Sequence, residues 1–369
     1  MGAPVRLFLC GDVMTGRGID QILPHPSRPG IYEPWVRDAR DYVALAEEVN
    51  GPIPRPVDFD YVWGDALQEL EARRPDARII NLETSVTRSE AYWPRKGINY
   101  RMHPANTPCL AAARPDCASL ANNHVLDWGY EGLAETLETL RAAGLRTAGA
   151  GRDAEEARAP AVLEVAGKGR VLVFAFGSPT SGVPEAWAAG KGRSGVSFLP
   201  GLSGPSLRRI AAQVEAVKQP GDLVVVSLHW GSNWGYDIPD AHREFAERLT
   251  EEASVDLVHG HSSHHPRPIE VHRGKLILYG CGDFINDYEG IEGYEAFRGD
   301  LSLMYFADVE VSTGRLLSLR MAPMRMRRFR LEHPGPEDVA WLAEVLTREG
   351  RPFRTSVAAS GEELVLDWF

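Results

Sequence analysis

Short apolar runs rich in β-branched residues recur along the chain, each closed by a polar or glycine cluster. They are Val5–Cys10, Arg78–Leu82, Asp116–Leu120, Val171–Ala175, Leu223–Leu228, Val255–Val258 and Leu276–Tyr279. Runs of this length between breakers predict buried strands. Between several of them, apolar residues recur at helical spacing, in Tyr61–Arg73, Leu133–Ala143, Ser206–Val217 and Ala241–Glu252. Strand alternating with helix predicts a layered α/β fold. From Arg267 to Arg330, strand-like runs are joined by short turns at His272-Arg273-Gly274 and Ser312-Thr313-Gly314. These predict antiparallel strands that complete a second sheet. The expected architecture is α/β, with two packed mixed β-sheets flanked by helices.

Two segments break this rhythm. Leu23–Pro56 carries prolines at 24, 26, 29, 34, 52, 54 and 56 around one possible helix, Trp35–Val49, and reads as a lid insertion over residues 23–57. Gly177–Gly204, rich in glycine and serine and containing Trp187, reads as a second lid or a solvated loop. Beyond Pro336 come an amphipathic stretch, Asp338–Arg348, and a strand-like run, Glu363–Phe369. The expected organisation is one domain over 1–330 with the insertion 23–57, followed by a helix and strand extension over 331–369.

Composition narrows the function classes. A chain of 369 residues with 44% hydrophobic and 25% charged residues excludes disorder, collagen-like repeats and continuous coiled coil. Forty Lys and Arg against 51 Asp and Glu leave a net charge of -11, which repels nucleic acid and anionic lipid. Neither partner is expected, and the Arg325–Arg330 cluster reads as a solvated edge strand. Cys10, Cys109, Cys117 and Cys281 show no paired spacing, so neither a disulfide framework nor a zinc knuckle is expected. Val5–Cys10 is far below the ~18 residues of a membrane span. A cytoplasmic protein without a membrane anchor is expected.

The chemistry-bearing residues sit just beyond the strand runs, where open α/β sheets place their ligand sites. Asp12, Glu83, Asn122-Asn123-His124, His229 and the run His259–His265 close five of them. One such residue is ordinarily a cap or a satisfied core group, but five together point to a site. Carboxylates, an amide oxygen and imidazoles suit one divalent metal ion, and the lack of thiolate disfavours structural zinc. Dominant oxygen ligands would favour Ca²⁺, Mn²⁺ or Mg²⁺, whereas three imidazoles would bring in Zn²⁺ or Fe. The His259–His265 run holds more imidazole than a metal needs, which leaves some for proton transfer beside Asp12, Asp127, Asp283 or Asp287. Lys96, Asn99 and Arg101 read either as a grip on an anionic group or as an exposed strand face.

Several stretches carry a resemblance: Cys10-Gly11-Asp12-Val13-Met14, Asn81-Leu82-Glu83, Ala121-Asn122-Asn123-His124, Ser227-Leu228-His229-Trp230-Gly231, Gly260-His261 with His264, and Gly280-Cys281-Gly282-Asp283-Phe284. Together they resemble the calcineurin-like metallophosphatase superfamily and, within it, the CapA family of capsule and poly-γ-glutamate synthesis proteins. The resemblance implies an αββα sandwich, metal ligation by Asp12, Glu83, Asn123, His229, His261 and His264, and an acid/base role for His124. Two departures weaken a dinuclear phosphoesterase centre. Met14 replaces the histidine of the superfamily's Asp-x-His, and Leu82-Glu83 replaces its Gly-Asp.

Three reactions are weighed. Phosphoester hydrolysis follows from the superfamily, and polymer assembly follows from the family name. CapA-like proteins also resemble epimerases of lasso-peptide biosynthesis, which invert the C-terminal residue of a peptide natural product. The leading expectation is this epimerase, with a peptide substrate and one divalent cation. Its acid and base would be His124 and either His261 or His265, partnered by Asp12 and Asp283. Lys96, Arg101 and Trp230 would bind substrate.

Overall fold

The computed structural model describes residues 3–369. The first sheet has ten strands. Its main order is Thr355–Ser360, Glu363–Trp368, Arg315–Arg327, Leu301–Glu310, Val5–Val13, Ala77–Leu82, Cys117–Ser119 and Arg146–Ala148. Asp283–Ile285 adds to Val5–Val13, and Arg330–Glu332 to Arg315–Arg327. The second sheet has six strands, in the order Ile269–His272, Lys275–Leu278, Leu257–His261, Leu223–His229, Gly169–Gly177 and Ala161–Val165. The first sheet is antiparallel from Thr355–Ser360 to Val5–Val13 and parallel from Val5–Val13 to its edge at Arg146–Ala148, whereas the second is parallel at its centre and antiparallel at both edges.

Side-chain alternation produces the layers. Leu7 and Leu9 of the first strand pack with Val171, Val173, Val225 and Leu257 of the second sheet in one core between the sheets. Phe8 and Cys10 turn the other way, to Ala66, Leu70, Leu133 and Leu137 of the helices Ala66–Arg73 and Gly129–Ala142. On the far side, Val224, Val226 and Leu228 meet Leu207, Ile210, Phe245 and Leu249 of the helices Gly204–Glu215 and Asp240–Glu252. Helices therefore cover both outer sheet faces.

Two expectations change. The two hairpins after Arg267 do not share a sheet. Ile269–Leu278 closes the second sheet, while Leu301–Arg327 pairs with Val5–Val13 in the first. Leu301, Leu303, Tyr305, Ala307 and Val309 point into the core between the sheets, which buries the free flank of Val5–Val13. The extension over 331–369 adds two strands to the first sheet and sends Val339, Leu342, Leu364 and Leu366 into the same core. In the insertion, the helix runs over Arg40–Asn50. The Gly177–Gly204 loop is anchored by the fully buried Trp187.

One close approach sets the position of the site. A Cβ on Gly11 would lie 1.5 Å from the Gly282 carbonyl oxygen. This contact lets Asp12 pair in register with Asp283 on one side and Asn81 on the other, across a register shift between Leu9 and Asp12. Gly11→Ala is expected to cost about 3 kcal/mol or more of stability, since the clash is with backbone. Urea unfolding checks this, and a loss below about 1 kcal/mol would mean that the strands can separate freely at this point.

Candidate functional site

Five strand ends meet at a buried polar cluster. The Asn81 amide donates to Asp12 Oδ1 at 2.7 Å and to Glu83 Oε2 at 3.4 Å, so one side chain ties the two carboxylates together. Asn81 Oδ1 accepts from Asn122 at 3.1 Å, and the Ser262 amide donates to Asp12 Oδ2 at 3.1 Å. Burial, and then the neighbouring Asp283, push the Asp12 carboxyl up to about 7. Burial and Asp12 raise Glu83 well above the carboxylate range. Two buried acids of like charge thus compete for ionisation, an arrangement that a bound cation would relieve.

Burial disfavours charge on the imidazoles of the adjoining strands. His229 and His261 are direct neighbours in the second sheet, with their Nδ1 atoms 2.8 Å apart. His229 Nε2 lies 2.9 Å from the Asn123 amide oxygen, and His261 Nε2 lies 2.7 Å from the Ser227 hydroxyl. One hydrogen-bond chain satisfies all of these contacts. His229 donates to Asn123, His261 donates to His229, and Ser227 donates to His261. Burial holds both rings well below the usual histidine range, and the other imidazoles nearby add to the effect. Asp12, His229 and His261 each offer a donor atom, all within 4.8 Å of one another. Glu83 Oε1 stands 3.7 Å from His124 Nε2 and 3.8 Å from His229 Nε2. Two carboxylates, an amide oxygen and two imidazoles fit a divalent ion of intermediate hardness. Asp12, Glu83, Asn123, His229 and His261 are the residues that would hold it.

Two histidine–aspartate pairs flank this cluster. His124 Nδ1 lies 2.6 Å from Asp127 Oδ2, leaving Nε2 towards Glu83. Burial lowers His124 to about 4, against the pull of Asp127. His264 Nδ1 lies 2.9 Å from Asp283 Oδ1, whose other oxygen accepts from Asn286 at 3.1 Å. Burial opposes charge on His264, yet Asp283 outweighs it and raises the imidazole. Tyr100 packs edge-on against His124, and Tyr288 against His264, with the two phenol oxygens 3.3 Å apart. Tyr288 also reaches Met14 Sδ at 3.9 Å.

Several expected roles move. His264 lies outside the group of Asp12, His229 and His261 donors within 4.8 Å of one another, and after a backbone turn at Ser262 (φ 99°) its Nδ1 goes to Asp283 instead. Its second nitrogen faces the Asn233 amide at 2.9 Å. His265 packs among Trp234, Tyr236 and Phe297, with Nδ1 on the Pro266 carbonyl, rather than beside a carboxylate. The imidazole partners are Asp127 for His124 and Asp283 for His264, whereas Asp12 comes no closer to His261 than 3.9 Å. Trp230 stacks on His242 and Tyr279 in the outer helical layer, because it follows His229 on the strand and so faces the opposite way. Arg101 lies over Trp128 and donates to the Ser89 and Arg28 carbonyls, fastening the insertion. Lys96 Nζ lies 2.6 Å from Asp127 Oδ1, 2.9 Å from the Ile98 carbonyl and 3.0 Å from His124 Nδ1, so it sits against the His124–Asp127 pair rather than open to a substrate anion.

Sequence reasoning also passed over Asn81, Tyr100, Tyr288 and Arg17. Arg17 is buried, donates to Asp287 at 2.5 and 2.8 Å and to Glu33 at 3.0 Å, and stacks on Tyr42 and Tyr100. An arginine framed by Gly16 and Gly18 five residues after Asp12 was the available signal.

Comparison with known proteins adds an independent line. The family described as Bacterial capsule synthesis protein PGA_cap matches residues 6–288. A probable polyglutamine synthesis accessory protein of Mycobacterium tuberculosis is 48% identical over 365 residues, covering 98% of this chain and 95% of that protein. The PGA biosynthesis protein CapA of Bacillus subtilis is 26% identical over 308 residues, 83% of this chain and 68% of that protein. The capsule biosynthesis protein CapA of Bacillus anthracis is 28% identical over 287 residues, 77% of this chain and 60% of that protein. No helix among the described residues is long and apolar enough to cross a membrane.

Proposed function

The chain belongs to the bacterial capsule synthesis protein PGA_cap family, and from that premise we propose a divalent-metal-dependent accessory enzyme in the synthesis of a glutamate- or glutamine-based polymer. The names of its relatives support the pathway class. The observation that carries the chemistry is the buried cluster of Asp12, Glu83, Asn123, His229 and His261, with His124 beside it. Two buried imidazole donors beside oxygen ligands favour Mn²⁺ over Ca²⁺. The layered fold is read here as the calcineurin-like one.

A divalent ion bound there would act as a Lewis acid on a carbonyl or phosphoryl oxygen. His124 is the acid/base group. Asp127 fixes its Nδ1 and therefore its tautomer, Lys96 balances the Asp127 charge, and Nε2 is left facing the cluster. The reaction supported best is cleavage or transfer at an amide or ester bond of the polymer. Peptide epimerisation is a second reading, favoured by the His264–Asp283 pair, which supplies a second imidazole for two-base proton transfer.

The test is mass spectrometry of α- and γ-linked glutamate and glutamine oligomers incubated with Mn²⁺-loaded protein, in H₂¹⁸O and separately in D₂O. Chain shortening with ¹⁸O uptake is expected. Deuterium uptake without shortening would establish the epimerase instead. His124→Ala is expected to lower turnover by about 100-fold or more with metal retained. Undiminished turnover would remove His124 from the chemistry.

A further inference from the structure

A cavity of about 330 Å³ opens beside the His264–Asp283 pair. Three of its lining residues touch that pair. Asn286 bonds Asp283, while Tyr288 and Trp234 lie with their rings 5.2 Å from the His264 ring. The cavity thus borders the His264–Asp283 pair through these three side chains. Its walls are mostly apolar, from Val49, Trp234, Tyr288, Ile291, Tyr294 and Met326. Val49 comes from the end of the insertion's helix, so the insertion supplies part of the wall.

The charged residues around it are already paired. Arg298 holds Asp300 and Asp338, and Arg325 reaches the same two acids. Glu289 accepts from Asn50 and from the backbone of Arg328 and Phe329, and Glu295 accepts from the Gly293 amide. Among the described lining residues, both arginines already hold acids, so an incoming carboxylate would have to displace Asp300 or Asp338. An uncharged hydrocarbon or aromatic group meets no such cost. The volume is about twice the ~150 Å³ of a cavity that admits benzene.

We propose that this cavity is a subsite for an uncharged, apolar side chain of the substrate, next to the reacting group. The proposal rests on the metal-site reading for its place beside the chemistry. It adds to that reading the requirement that the substrate carry an apolar residue beside the reacting bond, since neither a glutamate nor a glutamine side chain is apolar.

The experiment uses full-length, Mn²⁺-loaded protein titrated with N-acetyl-leucine amide or N-acetyl-glutamate amide, following the Trp234 indole resonance by NMR. The leucine amide is expected to shift that resonance, and the glutamate amide to leave it unmoved at equal concentration. Ile291→Glu and Tyr294→Ala alter half-exposed positions, and because Tyr294 stacks on Trp234 at 4.1 Å each variant's own probe-free spectrum is the reference. Each is expected to weaken the leucine probe by about ten-fold or more. Equal or tighter binding of the glutamate probe overturns the proposal, as does leucine binding that neither variant weakens. Metal content of the same samples separates the two ideas. Selective apolar binding by a protein that takes up no metal would keep the subsite and remove the metal reading.

Discussion

Replacing His229 by alanine is expected to abolish divalent-metal binding while the protein stays folded. His229 is fully buried at the end of a central strand, between His261 and Asn123 and 3.8 Å from Glu83. Its loss removes one imidazole from the set, disconnects Asn123, and strips His261 of its partner. Loss of a residue that merely supports a metal ligand costs about 10–100-fold in affinity, and loss of a ligand costs more. Metal analysis after dialysis of wild type, His229→Ala and Asp12→Ala measures the effect. Equal metal content in all three would place any ion elsewhere. The same site predicts that chelation destabilises the wild type. A ligand at a hundred times its dissociation constant contributes about 2.7 kcal/mol, so stripped protein should unfold earlier in urea by that amount. The direction follows from linkage, since an ion held by Asp12 and Glu83 binds only the folded state, and its removal leaves two buried carboxyls whose ionisation burial opposes.

The second large effect is expected at Arg17. Its guanidinium lies between Asp287 and Glu33, with Tyr42 donating to Glu33 from the insertion's helix. Arg17→Met strands two buried carboxylates, and breaking a buried pair in this way costs about 3–5 kcal/mol. Arg17→Lys should be nearly as damaging, because an ammonium lacks the planar fork that serves Asp287 and Glu33 at once. Since Glu33 and Tyr42 belong to residues 23–57, the variant should also expose the insertion to trypsin before the rest of the chain. Adding Asp287→Asn to Arg17→Met should recover part of the loss, because one stranded charge is then removed. Urea unfolding and limited proteolysis read both effects. A loss under about 1 kcal/mol, with the insertion still protected, would show that other contacts hold it.

Much of this protein was written locally. Alternating apolar residues, helical spacing and breakers marked the central strands and the principal helices to within a few residues, because each element's pattern records which of its own faces is buried. The placement of polar residues just past strands pointed to Asp12, Glu83, Asn123, His229 and His261 as neighbours, and the fold brings them together because parallel strands must bring their ends to one edge. Trp230, expected to bind substrate, went the other way, although strand alternation alone would have turned it away from His229. What remained hidden depends on contacts between distant segments. Whether the Leu301–Arg327 hairpin joins the first or the second sheet depends on which strand has a free flank. The partner of His264 is decided by a turn at Ser262 and by Asp283, brought alongside Asp12 through the Gly11–Gly282 approach. The role of Arg17 appears only once Glu33 and Asp287, separated by 254 positions in the numbering, meet around it. The chain's local pattern decided which residues face inward, and three-dimensional packing alone decided which of them meet, because pairing across long separations leaves no periodic trace in the sequence.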